Sequence, residues 1–216
     1  MIELRLARAG QPLSILCLGA HSDDLEIGCS GTLLALLDRH PGSRVTWVVW
    51  SGNDERAAEA RGSAEEWLRG AGQADIRVFS FRESFFPHEA ASLKTAFEAL
   101  KPTAPDLVFT HHGGDKHQDH RVVSELTWNT FRDHSILEYE IPKYDGDLGS
   151  PQLFQPLPEE RVARKCDHLR RHFGSQRGRH WFDDELFRGL MRIRGMECHS
   201  PTRFAEAFYV RKLVLG

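Results

Sequence analysis

The chain has 216 residues, 40% of them hydrophobic, enough to bury one sizeable core and to form a single domain spanning 1–216. Lys and Arg total 28 against 31 Asp and Glu, and the resulting net charge of -3 lacks the basic excess that a nucleic-acid partner would require. The charged start (Glu3, Arg5, Arg8) is followed by no long apolar stretch, and Cys17, Cys29, Cys166 and Cys198 form no Cys-x-x-Cys pair, so neither a signal peptide nor a membrane span is expected; we expect a soluble protein of the reducing cytoplasm.

In chain order, Ser14-Ile-Leu-Cys-Leu-Gly19 reads as a buried strand opening onto Ala20-His21-Ser22-Asp23-Asp24. A helix is expected from about Gly28 to Arg39, with Ser30 or Thr32 able to cap it. Val45–Trp50 is a second strand, Asp54–Arg69 an Ala- and Glu-rich helix, and Ile76–Phe81 a third strand. A helix over Ala90–Leu100 leads to a strand at Asp106–His111, which runs into a polar, Gly-containing loop. Further on, Ile136–Ile141 reads as a strand, Pro142–Pro158 as a long loop, Glu159–Phe173 and Asp184–Arg194 as helices, and Ala207–Val214 as a last strand. Strands alternating with helices imply a Rossmann-like three-layer α/β sandwich with a mostly parallel sheet, and ligands of such sheets bind beyond the carboxyl ends of the strands.

Two polar clusters fall at those ends. His21-Ser-Asp23-Asp24-Leu-Glu26 delivers one imidazole and three carboxylates, a crowding of anions that calls for a cation or a shared proton, although Asp at a helix start is also a common cap. His111-His112-Gly-Gly-Asp115-Lys-His117-Gln-Asp119-His120 holds four of the chain's 12 histidines. Histidine and aspartate without nearby cysteine are the ligand set of a catalytic zinc site, which takes three protein ligands and keeps a position for water. The five tryptophans, Trp47, Trp50, Trp67, Trp128 and Trp181, read as core or lid aromatics.

The run Ala20-His-Ser-Asp-Asp-Leu-Glu-Ile-Gly-Cys-Ser-Gly31 together with His117-Gln-Asp-His120 resembles the PIG-L/LmbE-like family of metal-dependent N-acetyl-sugar deacetylases. The resemblance implies that His21, Asp24 and His120 bind the metal, that Asp23 is the general base toward water, and that His117 stabilises or protonates the tetrahedral intermediate. It further implies Zn2+ (with Fe2+ or Co2+ as alternatives), an N-acetylated amino-sugar substrate, and association into a homo-oligomer as an option. Asp119 is a candidate to hold the His117 imidazole in its tautomer, or else to cap the helix beginning near His120. Arg56 and Arg61 are candidates for the family's substrate-binding arginine, against the plainer reading of a solvated helix face paired with Glu59 or Glu65. The family commonly has proline where Ser22 stands, a change touching turn stiffness and no implied ligand. His172-Phe-Gly-Ser-Gln176 and Ala205-Glu-Ala-Phe208 resemble later family segments, and no catalytic role is assigned to them.

The sequence thus predicts release of acetate and a free amine from an N-acetylglucosamine-like conjugate. The competing readings are a dinuclear metallophosphoesterase, which would want more ligands, and a sugar- or metal-binding module without turnover, for which Asp23 would have no use.

Overall fold

In the computed structural model, which describes residues 3, 5, 7, 8 and 10–214, one seven-stranded sheet runs through the molecule. The strands are β1 (Ser14–Gly19), β2 (Arg44–Val49), β3 (Gln73–Val78), β4 (Leu107–His111), β5 (Ser135–Tyr139), β6 (Leu153–Leu157) and β7 (Phe204–Tyr209), ordered β3-β2-β1-β4-β5-β7-β6. β3 through β5 are all parallel; β7 runs antiparallel to both β5 and β6. The helices are α1 (Asp24–Gly28), α2 (Ser30–Arg39), α3 (Asp54–Trp67), α4 (Ala90–Glu98), α5 (Gln118–Thr130), α6 (Glu159–His172) and α7 (Asp184–Glu197).

The strand period of two sorts the side chains into two cores. Ile15 and Cys17 of β1 face a cluster built with α1, α2, α3, α6 and α7, whereas Leu16 and Leu18 face one built with α4 and α5. Both faces of β1 and β4 are therefore covered, as their continuous apolar runs require, and the mostly parallel three-layer arrangement is the expected one.

Several boundaries differ from expectation for identifiable reasons. The helix expected from about Gly28 to Arg39 is α2, starting at Ser30 after a backbone break at Cys29 (φ -144, ψ 3), and the short α1 before it was not expected. Neither Ser30 nor Thr32 caps α2; Cys29 stands at that position, and the open amides of Gly31 and Thr32 donate instead to the Glu206 carboxylate at 2.9 and 2.7 Å. β3 spans Gln73–Val78, three residues earlier than expected, and Phe79 and Phe81 lie past its end and pack on Trp50. β6 lies inside the segment expected to be loop: its Pro156 argued against a strand, but β6 is a sheet edge, where a missing N–H is tolerated. The last strand ends at Tyr209, short of Val214.

Glu206, on β7, also receives the Thr32 hydroxyl at 2.6 Å and the Lys165 ammonium at 2.6 Å, with all three groups buried, so it ties β7, α2 and α6 together. This gives the Ala205-Glu-Ala-Phe208 segment a structural part. Breaking a buried pair strands a charge at a cost of about 3–5 kcal/mol. Glu206→Ala is therefore expected to lower unfolding stability by about that amount, as read by urea denaturation.

Candidate functional site

β1 and β4 are neighbours in the sheet, while the chain leaves β1 toward β2 on the other side; this reversal of strand order is where an open α/β sheet forms a crevice. His21, Asp23 and Asp24 follow β1, His111 ends β4, and Asp115, His117, Asp119 and His120 occupy the loop after β4 and the first turn of α5. The two polar clusters, about ninety residues apart in sequence, meet there.

The His21 Nδ1 lies 3.1 Å from the His120 Nε2 and 3.4 Å from the Asp24 Oδ2, and the His120 Nε2 lies 3.6 Å from the Asp24 Oδ1. All three residues are buried. The outer nitrogen of each imidazole is held by its own carboxylate: His21 Nε2 by Asp119 Oδ2 at 3.2 Å, His120 Nδ1 by Asp115 Oδ2 at 2.9 Å. With both ring protons committed outward, two lone pairs face each other across 3.1 Å beside a carboxylate. A divalent cation resolves that conflict, and two imidazoles with one carboxylate form a ligand set typical of zinc. His117 joins His21 and His120 in one group of potential donors, and His111 joins Asp24 and His120 in another; the two groups share His120 and describe one centre.

The electrostatics carry the same tension. Burial works against a charged His21, yet the Asp24 charge and the hydrogen bonds to Asp119 and Asp24 raise it to about 10, while burial and the His111 imidazole lower His120 to about 3. Without a cation the pair thus holds one proton. Burial and the Asp24 charge raise Asp23 to about 6, opposed by Arg56 and His21. One Asp23 oxygen, Oδ1, meets the Arg56 guanidinium at 3.3 Å; the other, Oδ2, is buried without a partner.

The sequence profile of the GlcNAc-PI de-N-acetylase family, PIG-L, matches residues 16–131, more than half of the chain. The chain belongs to the PIG-L family. An Escherichia coli K12 protein described as an uncharacterized deacetylase, YaiS, is 29% identical over 181 residues, covering 77% of this chain and 94% of the relative. Among solved structures, the N,N'-diacetylchitobiose deacetylase of Pyrococcus horikoshii superposes with a TM-score of 0.71 at 19% identity, over 94% of this chain and 84% of that one. The 4-carboxy-2-hydroxymuconate hydratase of Pseudomonas putida KT2440 superposes with a TM-score of 0.70 at 15% identity, over 94% and 97%. The PIG-L fold is thus shared with an enzyme of a different reaction class, so the reaction has to be argued from the site.

Of the two candidate arginines, Arg56 reaches the crevice and Arg61 does not. Arg56, in the first turn of α3, reaches Ser22 Oγ through Nε at 3.0 Å, Asp23 through Nη2 and Glu83 through Nη1 at 2.6 Å; Arg61 reaches only the Val78 carbonyl, at 3.3 Å, on an exposed face. Ser22 therefore does more than relax a turn, because its hydroxyl positions Arg56. The expected partner of Asp119 is also different. Its carboxylate bonds to His21 and receives the Ser84 and Phe86 amides at 2.6 and 3.2 Å, while its backbone N–H donates to His117 Nδ1 at 3.2 Å; His117 itself caps α5. A residue at the start of a helix points its side chain back over the preceding turn, toward β1 rather than along the loop.

Asp115, like His111, is a site residue to which sequence reasoning gives no role beyond lining the pocket. It accepts from His120, lies 3.0 Å from the Lys143 ammonium, and takes the His117 amide at 2.7 Å. Its five-residue distance from His120 gave no periodic signal, since the link crosses a loop into a helix.

Glu26 completes the buried acids. Its pKa is raised to about 8, by burial first, against the opposing hydrogen bond from the Ser63 hydroxyl. An acid whose folded pKa exceeds its unfolded one stabilises fully below the unfolded value, here 4.5, and loses that contribution as pH rises through the folded value. Glu26→Gln is expected to match the parent near pH 4.5 and to gain on it by a few kcal/mol, about 1.4 per pH unit, on the way to pH 8, measured as paired urea unfolding curves. Separately, Asp119→Asn is expected to weaken Zn2+ binding by about 10–100-fold, read by competition with a chromogenic chelator.

Proposed function

We propose that this PIG-L protein is a divalent-metal-dependent hydrolase, of zinc type, that removes the N-acetyl group from an amino-sugar conjugate and releases acetate and the free amine. The observation that carries the reading is the inward-facing pair of His21 Nδ1 and His120 Nε2 next to Asp24, with the unpartnered oxygen of Asp23 alongside. His21, Asp24 and His120 would hold the ion. When bound there it supplies Lewis-acid polarisation of the amide carbonyl and acidifies water.

The chain's own residues divide the remaining work. Arg56 fixes one Asp23 oxygen and leaves the other free to take the proton of the attacking water. The water oxygen adds to the carbonyl carbon, the carbon–nitrogen bond breaks, and the proton held on Asp23 passes to the departing nitrogen. His117 Nδ1 accepts the Asp119 N–H, which places the ring proton on Nε2; burial and the His21 charge lower its pKa, so it acts as a neutral hydrogen-bond donor to a developing oxyanion rather than as an acid. Arg56, half-buried and paired with Glu83 at the outer side of the site, is placed to meet sugar hydroxyls. Placement of the two donor groups around one shared histidine favours a mononuclear centre over a dinuclear phosphoesterase.

Acetate release from a panel of N-acetylglucosamine conjugates tests the reading on metal-loaded, chelated and Asp23→Asn protein. Acetate should appear only with metal, and should fall by about 100-fold or more in Asp23→Asn with metal content unchanged. The rate should rise with pH along a limb at about 6 or below, as Asp23 loses its proton, because a bound cation takes the place of the His21 charge and adds to the lowering by Arg56. Arg56→Ala should raise KM strongly where Arg61→Ala changes little. No acetate from any conjugate, with a phosphodiester cleaved or an olefin hydrated instead, would replace the deacetylase by another reaction.

A further inference from the structure

A second cluster of metal-ligating side chains lies outside the crevice and shares no residue with it. His168 and His172 are four residues apart on α6 and so project from one face, opposite Glu66 near the end of α3. One donor atom from each of the three lies within 4.8 Å of the others; His172 Nε2 is 3.0 Å from Glu66 Oε2, and His168 Nδ1 is 3.6 Å from Glu66 Oε1. We propose that Glu66, His168 and His172 bind one divalent transition-metal ion of the zinc class at a site separate from the catalytic one, clamping α3 to α6.

Ionic pairing alone accounts poorly for His168. It is 1% exposed, and its Nδ1 is buried with no hydrogen-bond partner among the described residues. The other nitrogen, Nε2, is 2.8 Å from the Ser63 hydroxyl, whose own proton goes to Glu26. Where Ser63 donates to the ionised Glu26 it accepts from His168 Nε2–H, which leaves the lone pair on Nδ1, directed toward the Glu66 carboxylate at 3.6 Å. This is the tautomer of a metal-bound histidine whose far nitrogen is tied to an acceptor. Burial and the His172 imidazole lower His168 to about 3, so it is a neutral ligand, and the Arg171 and His172 hydrogen bonds keep Glu66 anionic.

Two imidazoles and one carboxylate select zinc, cobalt, nickel or copper over the oxygen-seeking calcium and magnesium. The Glu66 and His172 side chains are 26% and 18% exposed, which gives an ion a route in and leaves a position for water. Arg171 holds both Glu66 oxygens, at 2.8 and 3.2 Å, but it also holds Asp167 at 2.8 Å and is 46% exposed, so it can release one oxygen and keep a partner. The consequence reaches the crevice by a short path. Ser63 joins this site to Glu26 of α1, the helix that begins with Asp24, and α3 carries Arg56 in its first turn.

The test is a Co2+ titration of chelator-stripped full-length protein, with bound metal counted by elemental analysis, on the parent, His120→Ala and His172→Ala. The parent should bind two ions and each variant one. Co2+ should raise the melting temperature of His120→Ala and leave His120→Ala/His172→Ala unmoved. Should His172→Ala not fold, Glu66→Gln, nearly isosteric and partly exposed, serves in its place, with Co2+ affinity at this site falling at least about tenfold. One ion in the parent, an unchanged count in His172→Ala and Glu66→Gln, or none in His120→Ala would each overturn the proposal. No ion in His120→Ala with two in the parent would also indicate a dinuclear catalytic centre, whereas one ion kept in His120→Ala with no acetate from the parent would overturn the deacetylase reading and leave this site standing.

Discussion

Everything at the end of β1 and β4 is arranged around one electrostatic problem: three imidazoles and four carboxylates have been taken out of water within a few ångströms of one another. Burial alone would push the acids up and the bases down until the site was neutral. What prevents this is partition of the acids by task. Asp115 and Asp119 each spend their charge on the outer nitrogen of a histidine and on backbone amides, Asp24 faces the inner nitrogens, and Asp23 is left with one oxygen tied to Arg56 and one free. The positive charge at the shared centre is then the proton on His21, whose place a bound cation would take.

The surrounding fold can be read as support for that partition. Asp115 is fixed from behind by Lys143, which also holds Asp147, so a basic residue from the long segment after β5 steadies a loop after β4. Glu59 on α3 receives the Ser175 amide and hydroxyl, and Glu206 receives two amides of α2 and the Lys165 ammonium. These later segments lie in the half of the chain where the sequence pattern was weakest. Their polar residues pin helices, and the helices in turn present Asp24 and Arg56.

The legible parts of the sequence were those governed by local physics. Continuous apolar runs marked β1 and β4 because both faces of those strands are covered, and the clusters that follow them were visible because polar groups seldom crowd after a buried strand. Relations that depend on where a side chain points after a turn were not legible. Asp119 adjoins His117 in sequence and serves His21 in space; Asp115 serves His120 across a helix start. Likewise Pro156 hid β6, since a proline is informative only once the strand is known to be an edge. Glu66 and His168 carried no motif at all, because their meeting depends on how α3 packs on α6.

The shared fold of a deacetylase and a hydratase sharpens what in this chain selects a reaction. Hydration of a double bond and hydrolysis of an amide both need activated water, so a metal-ligand triad by itself separates neither from the other. Amide hydrolysis additionally needs a group that keeps the water's proton and returns it to nitrogen, and a donor for the oxyanion that forms in between. On the proposed reading, Asp23 would keep and return the proton and His117 would donate to the oxyanion. The Ser22 hydroxyl, by anchoring Arg56 through Nε, leaves both terminal nitrogens of that arginine to Asp23 and Glu83. An arginine so divided links Glu83 to Asp23 through one guanidinium. On the proposed reading, a hydroxyl-rich group that displaced Glu83 would change the proton affinity of Asp23 through that guanidinium, coupling recognition of the sugar to the strength of the base.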